Sequence, residues 1–266
     1  MKSTLAIFIN GEYGLKSLRM LHALELFDIK LVILNSSSKQ SPGIRQEVEL
    51  FLRSTDSSRA RVLEYPGITS EIEDFIAHFP QTEFGISIYF GHLIPPKLIN
   101  KFSQDLINVH PSYLPDGRGA HPIAWAILER HQQGVTIHKI DSNVDTGDIY
   151  SQIRIDAELS DNAGILYGRC GEAAVTLLQN FIPRWVSGEF QPTRQSNPEV
   201  PARRSSEIEN LRTITFDESV TAGDFIRRIQ ATTFSNGSIP RIITEDGKVW
   251  EIKMSLTKVA KLEKEE

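Results

Sequence analysis

The sequence predicts an α/β fold, a doubly wound and mostly parallel sheet followed by a small α+β appendage at the C-terminus. Three observations support this prediction. Residues 5–9 and 30–34 are apolar runs of strand length. Leucines recur between them at steps of three, which is typical of a helix, and a strand, a helix and a strand in this order form a βαβ unit with parallel strands. The composition then changes after residue 191, which marks the appendage.

The middle of the chain continues this alternation of strands and helices. Apolar or alternating runs predict further strands at residues 61–65, 84–90, 106–110, 134–140 and 149–155. Helical periodicity or a proline at a helix start predicts helices at residues 44–52, 70–78, 95–102, from residue 122 onwards, and at 163–186, where Pro183 is a candidate break. Strands that alternate with helices favour a parallel sheet covered on both faces.

The chain divides into three parts by composition. Residues 1–190 form the main domain, and residues 191–210, rich in Pro, Ser and Arg, form a linker or extended arm. Residues 211–266 predict a helix at 222–230 with Ser219 as a candidate N-cap, and a hairpin of strands 239–244 and 248–252 around Glu245-Asp246-Gly247. This module has too few apolar residues for its own core, so we expect it to pack on the main domain or on a second subunit.

Composition excludes several classes of function. The 266 residues are 40% hydrophobic and 24% charged, as in an ordinary soluble protein, and no apolar run reaches membrane-spanning length. The formal net charge of −5 argues against a large surface for nucleic acid, which requires clustered basic residues. One cysteine, Cys170, excludes an internal disulfide and fits a reducing compartment. The composition therefore predicts a soluble cytoplasmic protein without a nucleic-acid or membrane partner.

The stretch at residues 106–112 carries the strongest functional signal. Side chains alternate along a strand, so Asn108 and His110 point to the same face, and a proline ends the strand just beyond them. Asp145 lies in a turn after the next predicted strand. An amide donor, an imidazole base and an orienting carboxylate are a suitable set for acyl transfer. We therefore take Asn108, His110 and Asp145 as candidate catalytic residues.

An ordered series of motifs around this candidate site resembles that of a known protein family. The series is Asn108-Val109-His110-Pro111-Ser112-Tyr113-Leu114-Pro115, Arg118-Gly119, Pro122, Trp125-Ala126, residues 134–138 and Asp145-Thr146-Gly147. It resembles the folate-dependent formyltransferases, which include enzymes acting on methionyl-tRNA, on glycinamide ribonucleotide and on nucleotide-linked amino sugars. The resemblance implies a Rossmann-like catalytic domain at residues 1–190 and N10-formyltetrahydrofolate as co-substrate. It also implies that the catalytic Asn, His and Asp of that family fall on Asn108, His110 and Asp145.

Further site residues are expected around the same cleft. By resemblance, the loop after the predicted strand 84–90 holds the folate pterin, largely through backbone groups, and the expected cofactor-binding residues are Tyr89, Phe90, Gly91, Leu93, Ile94, Ile140 and Asp141. Tyr13, in a predicted turn after the first strand, is a candidate for the substrate side of the cleft. Arg118, in a glycine-rich loop expected to be exposed, is a candidate clamp for phosphate or carboxylate.

The histidines and the cysteine do not predict a metal site. No His-x-His, His-Glu-x-x-His or paired-cysteine spacing occurs in the sequence. His92, His121 and His138 lie within or beside the motif series, and the sequence leaves their roles open. Cys170 lies in a predicted helix and is interpreted as an apolar filler.

The substrate is chosen by elimination. Formyltransferases that act on methionyl-tRNA carry a larger, basic C-terminal barrel, whereas residues 211–266 predict a helix and a hairpin. The best remaining class is the nucleotide-linked amino-sugar N-formyltransferases of O-antigen synthesis, and we expect a homodimer. The alternatives left open are a formyltransferase for methionyl-tRNA or another small amine, and a catalytically silent module that binds folate or nucleotide. The sequence does not identify the sugar or its nucleotide.

Overall fold

A large sheet forms the centre of the computed structural model, which describes residues 2–36, 40–57, 59–196, 200–234 and 239–259. Its seven strands are β1 (Ser3–Ile9), β2 (Phe27–Leu34), β3 (Arg61–Glu64), β4 (Phe84–Ile88), β5 (Leu106–His110), β6 (Gln133–Lys139) and β7 (Ile149–Ile155). The main-domain helices are α1 (Gly11–Ala23), α2 (Ile44–Arg53), α3 (Ile72–Ala77), α4 (Pro96–Ile99), α5 (Pro122–Glu129) and α6 (Ala163–Val186).

The strand order confirms the predicted doubly wound, mostly parallel sheet. The order is β3-β2-β1-β4-β5-β6-β7; β1 to β5 are parallel, whereas β6 is antiparallel to both β5 and β7. The chain moves outwards from β1 to β3 and then returns to place β4 on the other side of β1. Ligands of such sheets bind beyond the carboxyl ends of the strands at this reversal. A ligand-binding site is therefore expected at the carboxyl ends of β4 and β5.

Each face of the sheet is covered by its own helices, because successive strand side chains point in opposite directions. On one face, Leu5, Ile7 and Ile9 pack in one apolar cluster with buried residues of α1 and α6. On the other face, Ala6 and Phe8 belong to a second cluster that includes residues of α3 and α4. The hydrophobic core thus consists of two layers, with the sheet between them.

Two features of the main-domain helices differ from prediction. The predicted turn at residues 10–14 is helical from Gly11 onwards, so Tyr13 lies within the first turn of α1. Helix α6 is continuous through Pro183 and ends at Val186. Pro183 lies in the last turn of the helix, and its carbonyl accepts the Ser187 N–H at 3.3 Å.

The C-terminal module contains α7 (Ser205–Leu211), β8 (Thr213–Thr215), α8 (Ala222–Thr232), β9 (Arg241–Ile243) and β10 (Val249–Glu251). The predicted helix and hairpin are confirmed, since β9 and β10 pair antiparallel and β8 adds a parallel third strand. The N-cap of α8 is Thr221 rather than Ser219, because the Thr221 hydroxyl accepts from the Asp224 N–H. Helix α7 begins within the predicted linker and was not predicted.

The module packs on the main domain, as expected from its small apolar content. Ala124 and Trp125 of α5 form a buried cluster with Ile208 of α7 and Ala231 of α8. The arm before α7 is also attached, because the Ala120 N–H donates to the Arg203 carbonyl at 2.9 Å. The arm therefore lies directly beside the loop that follows β5.

Candidate active site

Strand β5 brings two of the predicted catalytic residues to the carboxyl edge of the sheet. Asn108 and His110 lie on one face of the strand, and both approach Asp145. The Asn108 Nδ2 atom is 3.5 Å from Asp145 Oδ1, and the His110 Nδ1 atom is 3.7 Å from Asp145 Oδ2. The structure thus places all three predicted residues together around one carboxylate.

His138 is a fourth member of this cluster. The antiparallel register of β5 and β6 places it directly opposite Asn108. Its Nε2 atom is 3.2 Å from Asn108 Nδ2 and 3.5 Å from Asp145 Oδ1, and the side chain is 2% exposed. Alternation along residues 134–140 could have indicated the face of His138. Its pairing with Asn108 depends on the change to an antiparallel strand, which sequence periodicity does not reveal.

Backbone carbonyls fix which ring nitrogen of each histidine carries a proton. His110 Nε2 lies 2.9 Å from the Gly117 carbonyl and His138 Nδ1 lies 2.8 Å from the Lys139 carbonyl. A carbonyl can only accept, so these two nitrogens donate. In the neutral rings, His110 Nδ1 and His138 Nε2 therefore carry lone pairs. Those lone pairs face the side of the cluster where Asn108 and Asp145 lie.

Asp145 is held as a buried carboxylate. Its Oδ2 atom accepts the Gly119 N–H at 2.9 Å, and its backbone is in the left-handed region at φ 53°. Burial by itself raises the pKa of this carboxyl, but three effects outweigh burial: the positive charge of His110 and His138 when these rings are protonated, a hydrogen bond from His138, and the Gly119 N–H. The pKa of Asp145 is consequently well below its usual range, and the group is ionised at neutral pH.

This lowered pKa has a consequence for stability. An ionised Asp145 stabilises the fold above its unfolded pKa of about 3.9, and the contribution is lost as the pH falls towards the lower folded value. We therefore expect the unfolding free energy of the wild type, relative to that of Asp145→Asn, to decrease between about pH 5 and pH 3. Urea denaturation of both proteins at several pH values measures this difference. A difference that stays constant over this range would contradict the assignment.

Gln195 of the arm holds the backbone of the Asp145 turn. Its Nε2 donates to the Asp145 carbonyl at 2.9 Å and to the Gly147 carbonyl at 2.7 Å. Its Oε1 accepts from Arg118 Nη2 at 2.6 Å, and Arg118 Nη1 donates to the Val200 carbonyl at 3.3 Å. Arg118 therefore connects the loop after β5 with the arm and, through Gln195, with the Asp145 turn.

The prediction of Arg118 as an exposed anion clamp was wrong. Its side chain is among the largest fully buried ones, at 1% exposure, and its guanidinium binds Gln195 and Val200. The glycine-rich loop was expected to be exposed, but the arm covers it. A distant segment covers this loop, so local sequence carries no signal for the burial.

Arg118→Ala is expected to lower the free energy of unfolding by about 2–4 kcal/mol, since it leaves the buried Gln195 oxygen without its donor. For a chain of this size the melting temperature then falls by roughly 5–15 °C. Arg194→Ala, which removes an exposed arginine next to Gln195, is the matched control and is expected to change stability by less than about 0.5 kcal/mol. Equal melting temperatures for the two variants would show that Arg118 does not fasten the arm.

A cavity of about 1000 Å³ opens above the cluster. Asn108, His110, His138 and Asp145 form part of its lining, and every expected cofactor-binding residue also lines it, namely Tyr89, Phe90, Gly91, Leu93, Ile94, Ile140 and Asp141. Further walls include residues 119–122 after β5, residues 142–144 before Asp145 and residues 202–205 of the arm. The contribution of the arm was not predicted.

The wall after β4 presents backbone rather than large side chains. Tyr89 and Gly91 are in the left-handed region, with φ of 53° and 71°. The Phe90 ring is 1% exposed and packs in the core, whereas Leu93 is 59% exposed. In the loop after β6, the Asp141 carboxylate accepts from the Thr146 hydroxyl at 2.8 Å and stabilises that loop. This wall therefore offers backbone groups and aliphatic side chains to a ligand.

Tyr13 does not line the cavity, so its prediction as a substrate-binding residue was wrong. The side chain is 8% exposed, and its ring lies 5.8 Å from Tyr89 and 5.6 Å from Tyr167 between centroids. A Cβ on Gly171 of α6 would be 2.3 Å from the Tyr13 ring, which shows how closely the two helices approach. Because α1 begins at Gly11, its first turn directs Tyr13 at α6.

Two further properties of the described residues concern membranes and metal ions. Within residues 2–36, 40–57, 59–196, 200–234 and 239–259, no helix has the length and apolar content needed to span a membrane. Among the same residues, no three His, Cys, Asp or Glu side chains are grouped as ligands for a metal ion.

Residues 26–182 match the family described as formyl transferase, and this segment is more than half of the chain. The chain belongs to the formyl transferase family. The family predicted from the motifs around Asn108 is thereby confirmed. A curated relative, the methionyl-tRNA formyltransferase of Bacillus licheniformis, is 37% identical over 111 residues. Those residues are 41% of this chain and 35% of the relative, so the match spans about a third of that formyltransferase.

Solved structures of other formyltransferases match over nearly the whole chain. A 4-N formyltransferase from Francisella tularensis is 20% identical, covers 97% of this chain and 99% of its own, and gives a TM-score of 0.77. An N-formyltransferase from Helicobacter canadensis, in complex with folinic acid and dTDP-3-aminofucose, is 22% identical. It covers 89% of this chain and 82% of its own, with a TM-score of 0.66. At these identities the likeness shows the shared fold.

Proposed function

We propose that the protein transfers a formyl group from N10-formyltetrahydrofolate to the amine of a nucleotide-linked amino sugar. The observation that carries the proposal is the convergence of Asn108, His110 and Asp145 at the floor of one cavity, in a member of the formyl transferase family. The Helicobacter canadensis formyltransferase, which shares the fold, binds a folate and a dTDP-linked amino sugar, and this supports the substrate class.

The cavity fits a folate together with an acceptor. Its volume of about 1000 Å³ is at the upper end of the range for small-molecule sites. Tyr89 and Gly91 line the cavity with left-handed backbone, and Leu93 and Ile140 offer aliphatic surface beside them. A pterin ring requires both, since its edge is polar and its faces are apolar. When bound, the folate supplies the activated formyl group.

Asn108 is suited to stabilise the oxyanion that develops during acyl transfer. One hydrogen of its Nδ2 points to His138 Nε2 at 3.2 Å, which fixes the orientation of the amide. The other faces Asp145 Oδ1 at 3.5 Å, the outer limit of a hydrogen bond, so this donor is held only weakly and is available to an oxyanion placed beside it. Loss of one such donor typically lowers kcat about 100- to 1000-fold.

His110 is suited to take the proton from the attacking amine. Its Nε2–H is committed to the Gly117 carbonyl, so only Nδ1 is free to accept. A proton on Nδ1 then faces Asp145 Oδ2, 3.7 Å away, and the carboxylate stabilises the imidazolium. The same proton can be returned to the nitrogen that leaves, because both nitrogens bond to the one formyl carbon. Asp145 therefore stabilises the imidazolium that forms when His110 takes the proton, and it does not need to be protonated itself.

The curated relative supports a second candidate function, that of a methionyl-tRNA formyltransferase. The extent of the match, the small C-terminal module and the net charge of the chain fit this candidate less well. The sequence match covers 35% of that relative. The described C-terminal module contains one sheet of three short strands, and the formal net charge of the chain is −5. Binding of tRNA requires clustered basic residues to neutralise phosphates. A catalytically silent module is disfavoured because Asn108, His110 and Asp145 are all present and line one cavity.

The setting of the reaction remains a prediction. We propose that the sugar serves O-antigen or lipopolysaccharide synthesis and that the enzyme acts in the cytoplasm, where folate and sugar nucleotides are made. We also propose a homodimer. Phe216, Val249 and Trp250 of the C-terminal module are more than half exposed, and apolar side chains of this size are common in subunit interfaces.

The proposed function is tested by incubating the protein with N10-formyltetrahydrofolate and a panel of GDP-, dTDP- and UDP-linked amino sugars, with EDTA present throughout. Mass spectrometry of each acceptor reports formylation. Methionyl-tRNA and glycinamide ribonucleotide are assayed in parallel, and Asn108→Ala serves as the inactive control. Formylation of an amino-sugar nucleotide is the expected result. Formylation of methionyl-tRNA at a rate equal to that of every amino sugar would instead establish the tRNA enzyme.

A further inference from the structure

The arm lies against the same loop that binds the Asp145 carboxylate. The Arg203 N–H donates to the Arg118 carbonyl at 3.0 Å, and the Arg203 carbonyl accepts the Ala120 N–H at 2.9 Å. Gly119, between them, has φ of 88°, and a Cβ there would be 2.3 Å from the Arg203 carbonyl oxygen. Such close contact requires glycine at position 119. The arm backbone is therefore fixed in position at the wall of the cavity.

The side chain of Arg203 is fully engaged by the main domain and α7. Its guanidinium lies 4.3 Å above the Trp125 ring and forms ion pairs with Glu129 and, at 3.2 Å, with Glu207. Stacking on the aromatic ring and pairing with two carboxylates satisfy its charge. Arg203 thus anchors the arm and is not available to a ligand.

Arg204 is in a different situation. Its backbone is extended, with φ of −101° and ψ of 151°, and successive side chains of an extended chain point to opposite sides. With Arg203 directed at Trp125, the side chain of Arg204 is directed away from α5, and Arg204 lines the cavity. With the described residues Arg204 makes no ion pair, and it is exposed. The nearest charge effect is on Glu207 of α7, whose pKa the charge of Arg204 helps to lower, but the two side chains form no ion pair. The cavity wall therefore carries an exposed guanidinium.

We propose that Arg204 binds the diphosphate of the nucleotide-linked acceptor, and so defines the acceptor end of the cavity. The inference rests on the proposed function and adds to it the site where the acceptor is recognised. The planar guanidinium of arginine suits two phosphate oxygens at once. The expected folate wall, from Tyr89 to Ile94, and the arm are separate walls of the cavity, with the catalytic cluster in its lining.

The spacing along the cavity agrees with this placement. The Gly119 N–H donates to the Asp145 carboxylate at 2.9 Å, and Gly119 forms an isolated β-bridge with Arg203. Neighbouring bridged chains lie about 4.8 Å apart and successive Cα atoms about 3.8 Å apart, so the Arg204 backbone is on the order of 10 Å from the carboxylate. A pyranose ring with its glycosidic diphosphate spans a distance of this order, which would leave the sugar amine beside His110.

The test separates ligand binding from turnover. Binding of dTDP, UDP and GDP to the wild type, Arg204→Ala, Arg204→Lys and Arg53→Ala is measured by isothermal titration calorimetry, without folate or sugar. Arg53 is exposed at the end of α2 and serves as the matched control. We expect Arg204→Ala to weaken binding of the preferred nucleotide about tenfold or more, the typical effect of one lost charge-assisted hydrogen bond. The nucleotide affinity of Arg204→Lys should lie between those of the wild type and Arg204→Ala. Arg53→Ala should bind the nucleotide as the wild type does.

Steady-state kinetics with the best acceptor of the panel then tests the same site in the reaction. Arg204→Ala should raise the KM for the sugar nucleotide about tenfold while leaving the KM for N10-formyltetrahydrofolate unchanged. Equal nucleotide binding by the wild type and Arg204→Ala would overturn the Arg204 site even where amino-sugar nucleotides are formylated. Absence of nucleotide binding by the wild type would overturn it as well. Nucleotide binding that depends on Arg204 without formylation of any amino sugar would instead reject the proposed function.

Discussion

Asp145→Asn is expected to lower kcat by about three to four orders of magnitude, as removal of the orienting carboxylate does in other histidine-based acyl-transfer sites. The substitution keeps the size of the side chain, and asparagine tolerates the left-handed backbone found at position 145. The turn should therefore keep its shape. What is lost is the negative charge that faces His110 Nδ1 and His138 Nε2. Formylation under saturating substrates measures kcat.

Asp156→Asn is the matched control, because this carboxylate lies on the surface and does not line the cavity. It should keep kcat within about twofold of the wild type, since surface substitutions away from a site are usually near neutral. Near-UV circular dichroism verifies that both variants are folded. A folded Asp145→Asn protein with kcat within tenfold of the wild type would show that Asp145 does not stabilise a charged His110.

Gly147→Ala is expected to abolish most activity and to destabilise the fold by roughly 3 kcal/mol or more. A Cβ at position 147 would be 1.8 Å from the Lys139 carbonyl oxygen and 2.7 Å from its carbon. Both atoms belong to the backbone at the end of β6, where the Lys139 N–H also bonds to the Asp148 carbonyl. The turn that carries Asp145 must therefore move. A shift of about 1 Å in a catalytic group can lower the rate about 100-fold.

Gly168→Ala in α6 provides the comparison, since it adds the same methyl group at a position with room for it. A Cβ there would meet the Tyr13 hydroxyl at 3.6 Å, an ordinary contact. Alanine is favoured over glycine within a helix by about 1 kcal/mol, so this variant should be as stable as the wild type or more so. The melting temperature and kcat of both variants test whether β6 constrains the turn that carries Asp145. Similar values for Gly147→Ala and Gly168→Ala would mean that the turn is not tightly constrained by β6.

Most strands and helices could be predicted because their side-chain patterns report local burial. Alternation placed Asn108 and His110 on one face of β5, and the structure brings both to Asp145. The hairpin around Gly247 was likewise predictable, since glycine suits its φ of 77°. These features depend on residues that are close in sequence, so local sequence patterns predict them.

The features that were missed depend on contacts between distant segments. Arg118 was expected to be exposed, but Gln195 of the arm, 77 residues away, binds and buries it. His138 was left open because its position beside Asn108 requires β6 to run antiparallel to β5. The cap of α8 at Thr221 and the helix α7 lie in a polar segment whose composition resembles a linker. For Arg118, His138 and α7, whose Ile208 packs against α5, tertiary contacts determined the result, whereas the cap at Thr221 is a local bond to the Asp224 N–H.

The contact of Arg203 with Trp125 provides an optical reporter of the arm. A guanidinium 4.3 Å from an indole ring alters the fluorescence of that ring, and separation of the arm would remove it. The other two tryptophans differ in setting, since Trp185 is 5% exposed in the core and Trp250 is 56% exposed in the C-terminal module. Replacing both by phenylalanine leaves Trp125 as a single emitter. Its emission would then report, in real time, whether the wall that carries Arg204 is seated while substrates enter and products leave.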